Sequence, residues 1–243
     1  MTWAVVGASA GLGRAISECL ARQRRSLLLV ASDARDLEAH AADLRVCFGA
    51  EARVLAHDGA DHAALADAMG RALEGQDVEG LIFPIGSVDG TDDGRLGGPR
   101  AEEMLRINLL SVVSVVSRLL PGMMDRGRGV IVGFSSIAAA RGRSRNVVYS
   151  ASKRALESYF ESLRHLAEPR GVVVALYCLG YVDTNLAFGQ RLLLPKADST
   201  ALAARICEEL GNRRGKRYLP AIWGPVTWTL RHLPWAAFRR LRF

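Results

Sequence analysis

Lysine is almost missing from this 243-residue chain: of 32 basic residues, only those at 153, 196 and 216 are lysine. Cysteine is as sparse. Cys19, Cys47, Cys178 and Cys207 lack the spacing of a metal site or of a disulfide framework, so no metal is expected and reduced thiols in a cytoplasmic protein are. The opening MTWAVVGAS has no basic stretch leading into an apolar one, and no signal peptide is expected. Uninterrupted apolar runs long enough to span a bilayer are lacking; VVSVVSRLLPGMM is broken by Arg118 and Pro121. The formal charge of +7 could draw nucleic acid or an anionic surface. The arginines are scattered through the first 200 residues, however, and cluster only at 213–217 and 231–242. With no zinc-finger or RNA-recognition pattern, nucleic acid is not expected as a partner.

What the chain has is apolar content, 49%, enough for a large core. Short Val/Ile/Leu runs at 3–8, 26–31, 52–57, 80–85, 129–136 and 172–178 alternate with helical patterns at about 11–24, 35–48, 61–74, 99–126 and 148–168. Strands without polar alternation are covered on both faces, as in a parallel sheet between helices. The alternation predicts an α/β fold, a doubly wound parallel sheet of Rossmann type. A single domain over residues 1–218 is expected, followed by an apolar-basic helical extension at 219–243.

The first strand runs into VGASAGLGR, with glycines at 7, 11 and 13. A glycine-rich strand-to-helix turn lets backbone approach a pyrophosphate at the positive end of a helix. Gly7, Ser9, Gly11, Leu12 and Gly13 are therefore candidate cofactor contacts. At the end of the second strand, a carboxylate would select the ribose 2′-hydroxyl of NAD. Ala31 takes that slot, followed by Ser32 and Asp33, so NADP(H) is favoured over NAD(H), with Ser32 as a contact. Asp58, after the third strand, suits the adenine edge or the N-cap of a helix in HDGADH.

Tyr149 and Lys153 are four residues apart in NVVYSASKRALESYF and share a helix face. An ammonium beside a phenol stabilises the phenolate, lowers its pKa from the usual ~10 and equips it for proton transfer to a carbonyl oxygen. Lysine is a compact point charge, unlike arginine's broad fork. Ser135 and Ser136 end the preceding strand at the carboxyl edge of the sheet, where such folds bind ligands. Asn108 interrupts an apolar helix face in LRINLLS, either as a core amide or as a group holding a water next to Lys153.

GASAGLG, Asn108, Ser136, YSASK and LGYVDT, in this order over residues 4–185, resemble the short-chain dehydrogenase/reductase family. The resemblance implies hydride transfer between a nicotinamide cofactor and a carbonyl/alcohol pair. It implies Tyr149 as general acid/base, Lys153 tuning it and binding the nicotinamide ribose, Ser136 orienting the substrate oxygen and Asn108 supporting a proton relay. Val182 and Thr184 would contact the carboxamide, with Gly86 and Gly180 at the cofactor. The chain departs from the family at FPIG, where only Gly86 of the usual Asn-Asn-Ala-Gly segment is kept and Pro84 removes a donor. Leu179 and Val6 likewise replace a usual proline and threonine.

Compact family members end with a seventh strand and a glycine-rich segment; this chain instead ends KRYLPAIWGPVTWTLRHLPWAAFRRLRF, with no acid after Glu209. Pro225 and Pro234 predict two short helices rather than one. Trp223, Trp228, Trp235 and the arginines fit either a membrane-surface segment or a tail packed on its own domain or on a second subunit. The tail is similar to that of the decaprenylphosphoryl-2-keto-erythro-pentofuranose reductases, which implies a lipid-linked keto-sugar, covered by the loop at 185–199, and peripheral contact with the inner face of a membrane. A soluble ketone, steroid or acyl substrate is the alternative, and a nucleotide-sensing regulator without turnover is the alternative of another class. A homo-oligomer, a dimer through the helices at 99–126 and 148–168, is the family's usual arrangement.

Overall fold

The computed structural model describes residues 1–183 and 197–241. Seven parallel strands form one sheet: β1 (Thr2–Val6), β2 (Ser26–Ala31), β3 (Ala52–Ala56), β4 (Val78–Phe83), β5 (Gly129–Ser136), β6 (Val172–Leu179) and β7 (Gly215–Leu219). Their order is β3-β2-β1-β4-β5-β6-β7, a doubly wound Rossmann-type sheet in a single domain. The helices are α1 (Gly11–Arg22), α2 (Ala34–Phe48), α3 (His62–Ala72), α4 (Gly98–Leu105), α5 (Ser111–Asp125), α6 (Val147–Ala167), α7 (Ser199–Glu209), α8 (Trp223–His232) and α9 (Trp235–Phe238).

The unbroken apolar runs are explained by two cores, one on each face of the sheet. Val5, Leu27, Leu29 and Val132 meet Ile16 and Leu20 of α1, Leu37 and Leu44 of α2, and Ile206 of α7. Their neighbours Ala4, Leu28, Val30 and Ile131 turn the other way, onto Leu65 and Met69 of α3, Val115 and Val116 of α5, and Leu156 and Phe160 of α6. This is the period of two of a strand, with both phases apolar. Each such side chain stabilises the fold by roughly 1.5–3 kcal/mol.

Two elements differ from expectation. The helix predicted over 99–126 carries a π-helical turn at Arg106–Leu110, with Asn108 at its centre. Together these segments, Gly98–Asp125, are long and apolar enough to cross a membrane by length and composition, but Val112, Val115, Val116, Leu120 and Met123 pack into the core. The seventh strand is also present, over GKRYL. It lies at the sheet edge, where among the described residues it pairs with β6, and its Lys216 and Arg217 are spent on ion pairs with Glu157 and Glu209, so its sequence lacks the apolar run that marks the others.

The C-terminal segment packs on the domain in two short helices, with Pro234 between them. A buried carboxylate anchors it. Glu157 of α6 accepts hydrogen bonds from Lys216 Nζ at 2.6 Å, Arg231 of α8 at 3.0 Å and Arg154 at 3.2 Å. Ser135 Oγ (3.1 Å) and Cys178 Sγ (3.3 Å) donate to its other oxygen. Burial alone would raise this carboxyl, but the hydrogen bond and charge of Lys216, then Cys178 and Arg231, hold it below the usual range. Arg141 reinforces the dock, donating to the Leu230 and Leu233 carbonyls and lying 4.1 Å over the Phe238 ring.

Because its folded pKa is depressed, Glu157 contributes stability above its unfolded pKa of ~4.3, lost as pH falls through the folded value. Glu157→Gln is expected to destabilise by roughly 2–3 kcal/mol at pH 7, the partners' partial exposure discounting the full penalty of a broken buried pair. Urea unfolding of both proteins from pH 7 down to ~pH 2.5 measures this; a loss that stays equal over the whole range would rule out the charge as the cause.

Candidate active site

Helix α1 begins without a side-chain cap and without an acidic residue in its first turn. Its free N–H groups and partial positive charge therefore remain available to a phosphate. Gly7, at φ +98°, is the turn into this helix; a Cβ there would lie 2.7 Å from the Ile85 nitrogen, and one on Gly13 would overlap the Gly7 carbonyl oxygen. The turn closes only with glycine at both positions. It opens on a cavity of about 460 Å³ along the carboxyl ends of the strands. That is where the residues present fit a dinucleotide.

Of the predicted site residues, Gly7, Ser9, Gly11, Leu12, Gly13, Ser32, Asp58, Gly86, Ser136, Tyr149, Lys153, Gly180 and Val182 all line this one cavity. Asn108 lies behind it, and Thr184 falls outside the described residues, as does most of the 185–199 loop. Asp58 does not cap α3; Asp61 does, accepting from the Ala64 amide. Asp58 instead closes a turn on the Ala60 amide at 2.9 Å beside the cavity. Asp33 caps α2 through the Arg35 and Asp36 amides, which leaves Ala31 and Ser32 at the wall.

Helix α6 holds the two central side chains. Its first N–H groups are satisfied from a distant loop: Asp92, 3% exposed, accepts from the Val148 amide at 3.1 Å and the Tyr149 amide at 3.0 Å. A carboxylate there also suits the helix dipole. Lys153 is 4% exposed; its Nζ donates to the Phe134 carbonyl at 3.2 Å and lies 6.0 Å from the centre of the Tyr149 ring. Burial lowers its pKa to about 8. Burial also raises the Tyr149 phenol above its ordinary value, opposed by a hydrogen bond with Ser136 and the charge of Arg143. Ser136 and Arg143 are thus the groups that draw the phenol down in the cofactor-free protein.

Asn108 is fully buried and its side chain is committed. Oδ1 accepts from the Ser87 amide at 2.7 Å; Nδ2 donates to the Ser87 carbonyl at 2.8 Å and to Ser152 Oγ at 3.1 Å. It fits the core-amide reading and fixes the segment after Gly86, where a Cβ would stand 3.3 Å from Lys153 Nζ. The π turn it occupies disturbs the α-ladder beside the site. Sequence reasoning missed Asp92, Arg143 and Trp223. The Trp223 indole occupies the space a Cβ on Gly180 would need and meets Tyr181 edge-on at 5.4 Å, so the C-terminal segment supports the cavity wall. For Arg143 the arginine-rich ARGRSRN before Tyr149 was the available signal.

A family profile for short chain dehydrogenase matches residues 2–191. The chain belongs to the short-chain dehydrogenase family. As a member it is an oxidoreductase that takes NAD(P). It is 27% identical over 190 residues to a very-long-chain 3-oxoacyl-CoA reductase of Anas platyrhynchos, covering 76% of this chain and 61% of that protein's length. It is 31% identical over 188 residues to the uncharacterized oxidoreductase YmfI of Bacillus subtilis, covering 75% of each. With the ketoacyl reductase HetN of a Nostoc species it shares 30% over 197 residues, 79% of this chain and 67% of that one. Among solved structures, a short-chain dehydrogenase from Sphingobium yanoikuyae in complex with NADPH superposes at TM-score 0.82, with 22% identity and 97% of both chains covered. A 3-oxoacyl-[acyl-carrier protein] reductase with bound NAD from Brucella melitensis gives 0.78, with 19% identity over 88% of this chain and 87% of that one. At such identities these structures share the fold.

The buried ammonium has a measurable consequence. Folded Lys153 loses its proton near pH 8, its unfolded form near ~10.4, so the protein gains about 3 kcal/mol from this residue as pH rises across that window. In the cofactor-free protein, Lys153→Met is expected to unfold at higher urea than wild type at pH 7, and the gap should nearly close by pH 10. A gap independent of pH would show that the ammonium is not buried.

Proposed function

We propose that this chain is an NADPH-dependent reductase of a ketone attached to an apolar or lipid-linked chain. The observation that carries the reading is the convergence of Tyr149, Lys153 and Ser136 on the cavity that begins at the Gly7–Gly13 turn. Bound nicotinamide would supply the hydride. Tyr149 would give its proton to the carbonyl oxygen, with Ser136 orienting that oxygen. Lys153 would hold positive charge beneath the reacting groups and steady the phenolate left behind. The Asn108 side chain acts through position, by fixing Ser87 and Ser152 around Lys153.

NADPH is preferred in this reading because Ala31 and Ser32 offer no carboxylate to the ribose 2′-oxygen and the Asp33 carboxylate is engaged in capping α2. Relatives named as 3-oxoacyl and ketoacyl reductases favour an acyl chain; the likeness of the tail to decaprenylphosphoryl-keto-pentofuranose reductases favours a lipid-linked keto-sugar. Both present a ketone on a long apolar carrier. Tyr149→Phe is expected to lower kcat/KM for a 3-oxoacyl thioester by about 10²–10⁴-fold, while NADPH fluorescence still reports binding tighter than that of NADH. Turnover surviving the substitution would remove the assignment.

A peripheral membrane contact is part of the proposal. Ile222, Trp228, Trp235 and Leu241 are exposed at 59%, 64%, 65% and 45%, beside exposed Arg239 and Arg240. Aromatic and basic side chains without acids fit an anionic lipid surface. Trp228→Ala/Trp235→Ala should abolish sedimentation with phosphatidylglycerol vesicles and leave the unfolding temperature unchanged; sedimentation equal to wild type would refute the contact.

A further inference from the structure

The loop between β5 and α6 carries three arginines with different roles. Arg141 is committed to α8 and α9 through the Leu230 and Leu233 carbonyls and the Phe238 ring. Arg145 is exposed to solvent. Arg143 is half-buried and lines the cavity together with Asn146, Tyr149 and Tyr181.

The charges of the cavity wall are arranged by end. Among the described lining residues the one carboxylate is Asp58, after β3, on the side of Ser32 and the glycine turn. Arg143 stands at the other end, beyond Tyr149, on the segment that follows β5. The phosphates of a dinucleotide are accounted for at the start of α1, after β1, two strands away from this loop in the order β1-β4-β5. A guanidinium placed beside the proton-donating phenol therefore faces what the tyrosine acts on. Arginine in that position recognises the paired oxygens of a carboxylate or phosphate.

We infer that Arg143 forms an anion-binding subsite at the substrate end of the cavity, so that the ketone reduced carries a carboxylate or a phosphate close to its carbonyl. This rests on the reductase reading and deepens it: of the two carriers considered, it favours the phosphate-bearing one, since a 3-oxoacyl thioester has no anion beside its ketone. Burial disfavours the Arg143 cation, while the neighbouring Tyr181 and Tyr149 favour it; an anionic oxygen pair would add to that support.

Two matched pairs of small ketones test the subsite: acetoacetate against methyl acetoacetate, and dihydroxyacetone phosphate against dihydroxyacetone. Binding to protein loaded with NADP⁺ is measured by calorimetry, and kcat/KM with NADPH separately, for wild type, Arg143→Met and Arg143→Lys. In at least one pair the charged member is expected to bind about 10- to 100-fold tighter than the neutral one, the worth of a charge-assisted hydrogen bond. That ratio should collapse in Arg143→Met and return in part in Arg143→Lys, and the pair that shows it separates a carboxylate from a phosphate. Wild type binding both members of each pair equally, or not at all, overturns the subsite, as does a ratio unchanged in Arg143→Met. Tight binding of the charged member without turnover supports the subsite and sinks the reductase reading; equal turnover of both members does the reverse.

Discussion

An ammonium group removed from water is the constraint around which this molecule is arranged. Lys153 is 4% exposed and its Nζ donates to the Phe134 carbonyl, so its charge is held against a substantial desolvation penalty. Such a group persists only where its surroundings leave it no other place. Helix α6 supplies that: Asp92 holds its first amides, Phe160 and Leu163 bury its far end against the sheet, and Glu157 ties its middle to β5, β6, β7 and α8. Tyr149, one turn before the lysine, is positioned by the same restraints.

The C-terminal segment belongs to this arrangement. Trp223 fills the space left by Gly180 at the cavity wall, and Arg231 reaches the carboxylate that also receives Lys216. Its inner face is thus used in supporting the site, and its outer face presents tryptophans and arginines to solvent. One short stretch of chain thus joins the wall of the cavity to the molecular surface.

Much of this was legible in the sequence because the signals are local. Strands covered on both faces read as unbroken apolar runs, and GASAGLG and YSASK place their groups by turn geometry and helical period alone. The seventh strand was not legible: GKRYL sits at an edge, where a lysine and an arginine paired with Glu157 and Glu209 replace the apolar run. Period four sets the shared face of Tyr149 and Lys153, but not the Phe134 carbonyl that Lys153 also meets. Asn108 read correctly as an interruption of an apolar face; that it would bind Ser87 and Ser152, inside a π turn, depended on segments 21 and 44 residues away.

The residues alone determined the sheet, the glycine turn and the pairing of a tyrosine with a scarce lysine, because each follows from backbone sterics and periodicity over a few positions. Tertiary structure decided which charges meet. Asp92, Arg143, Glu157 and Arg231 look alike in the sequence as polar residues among many. Only packing chose which of them would lose water and so become strong enough to cap a helix, bias a phenol or anchor a tail.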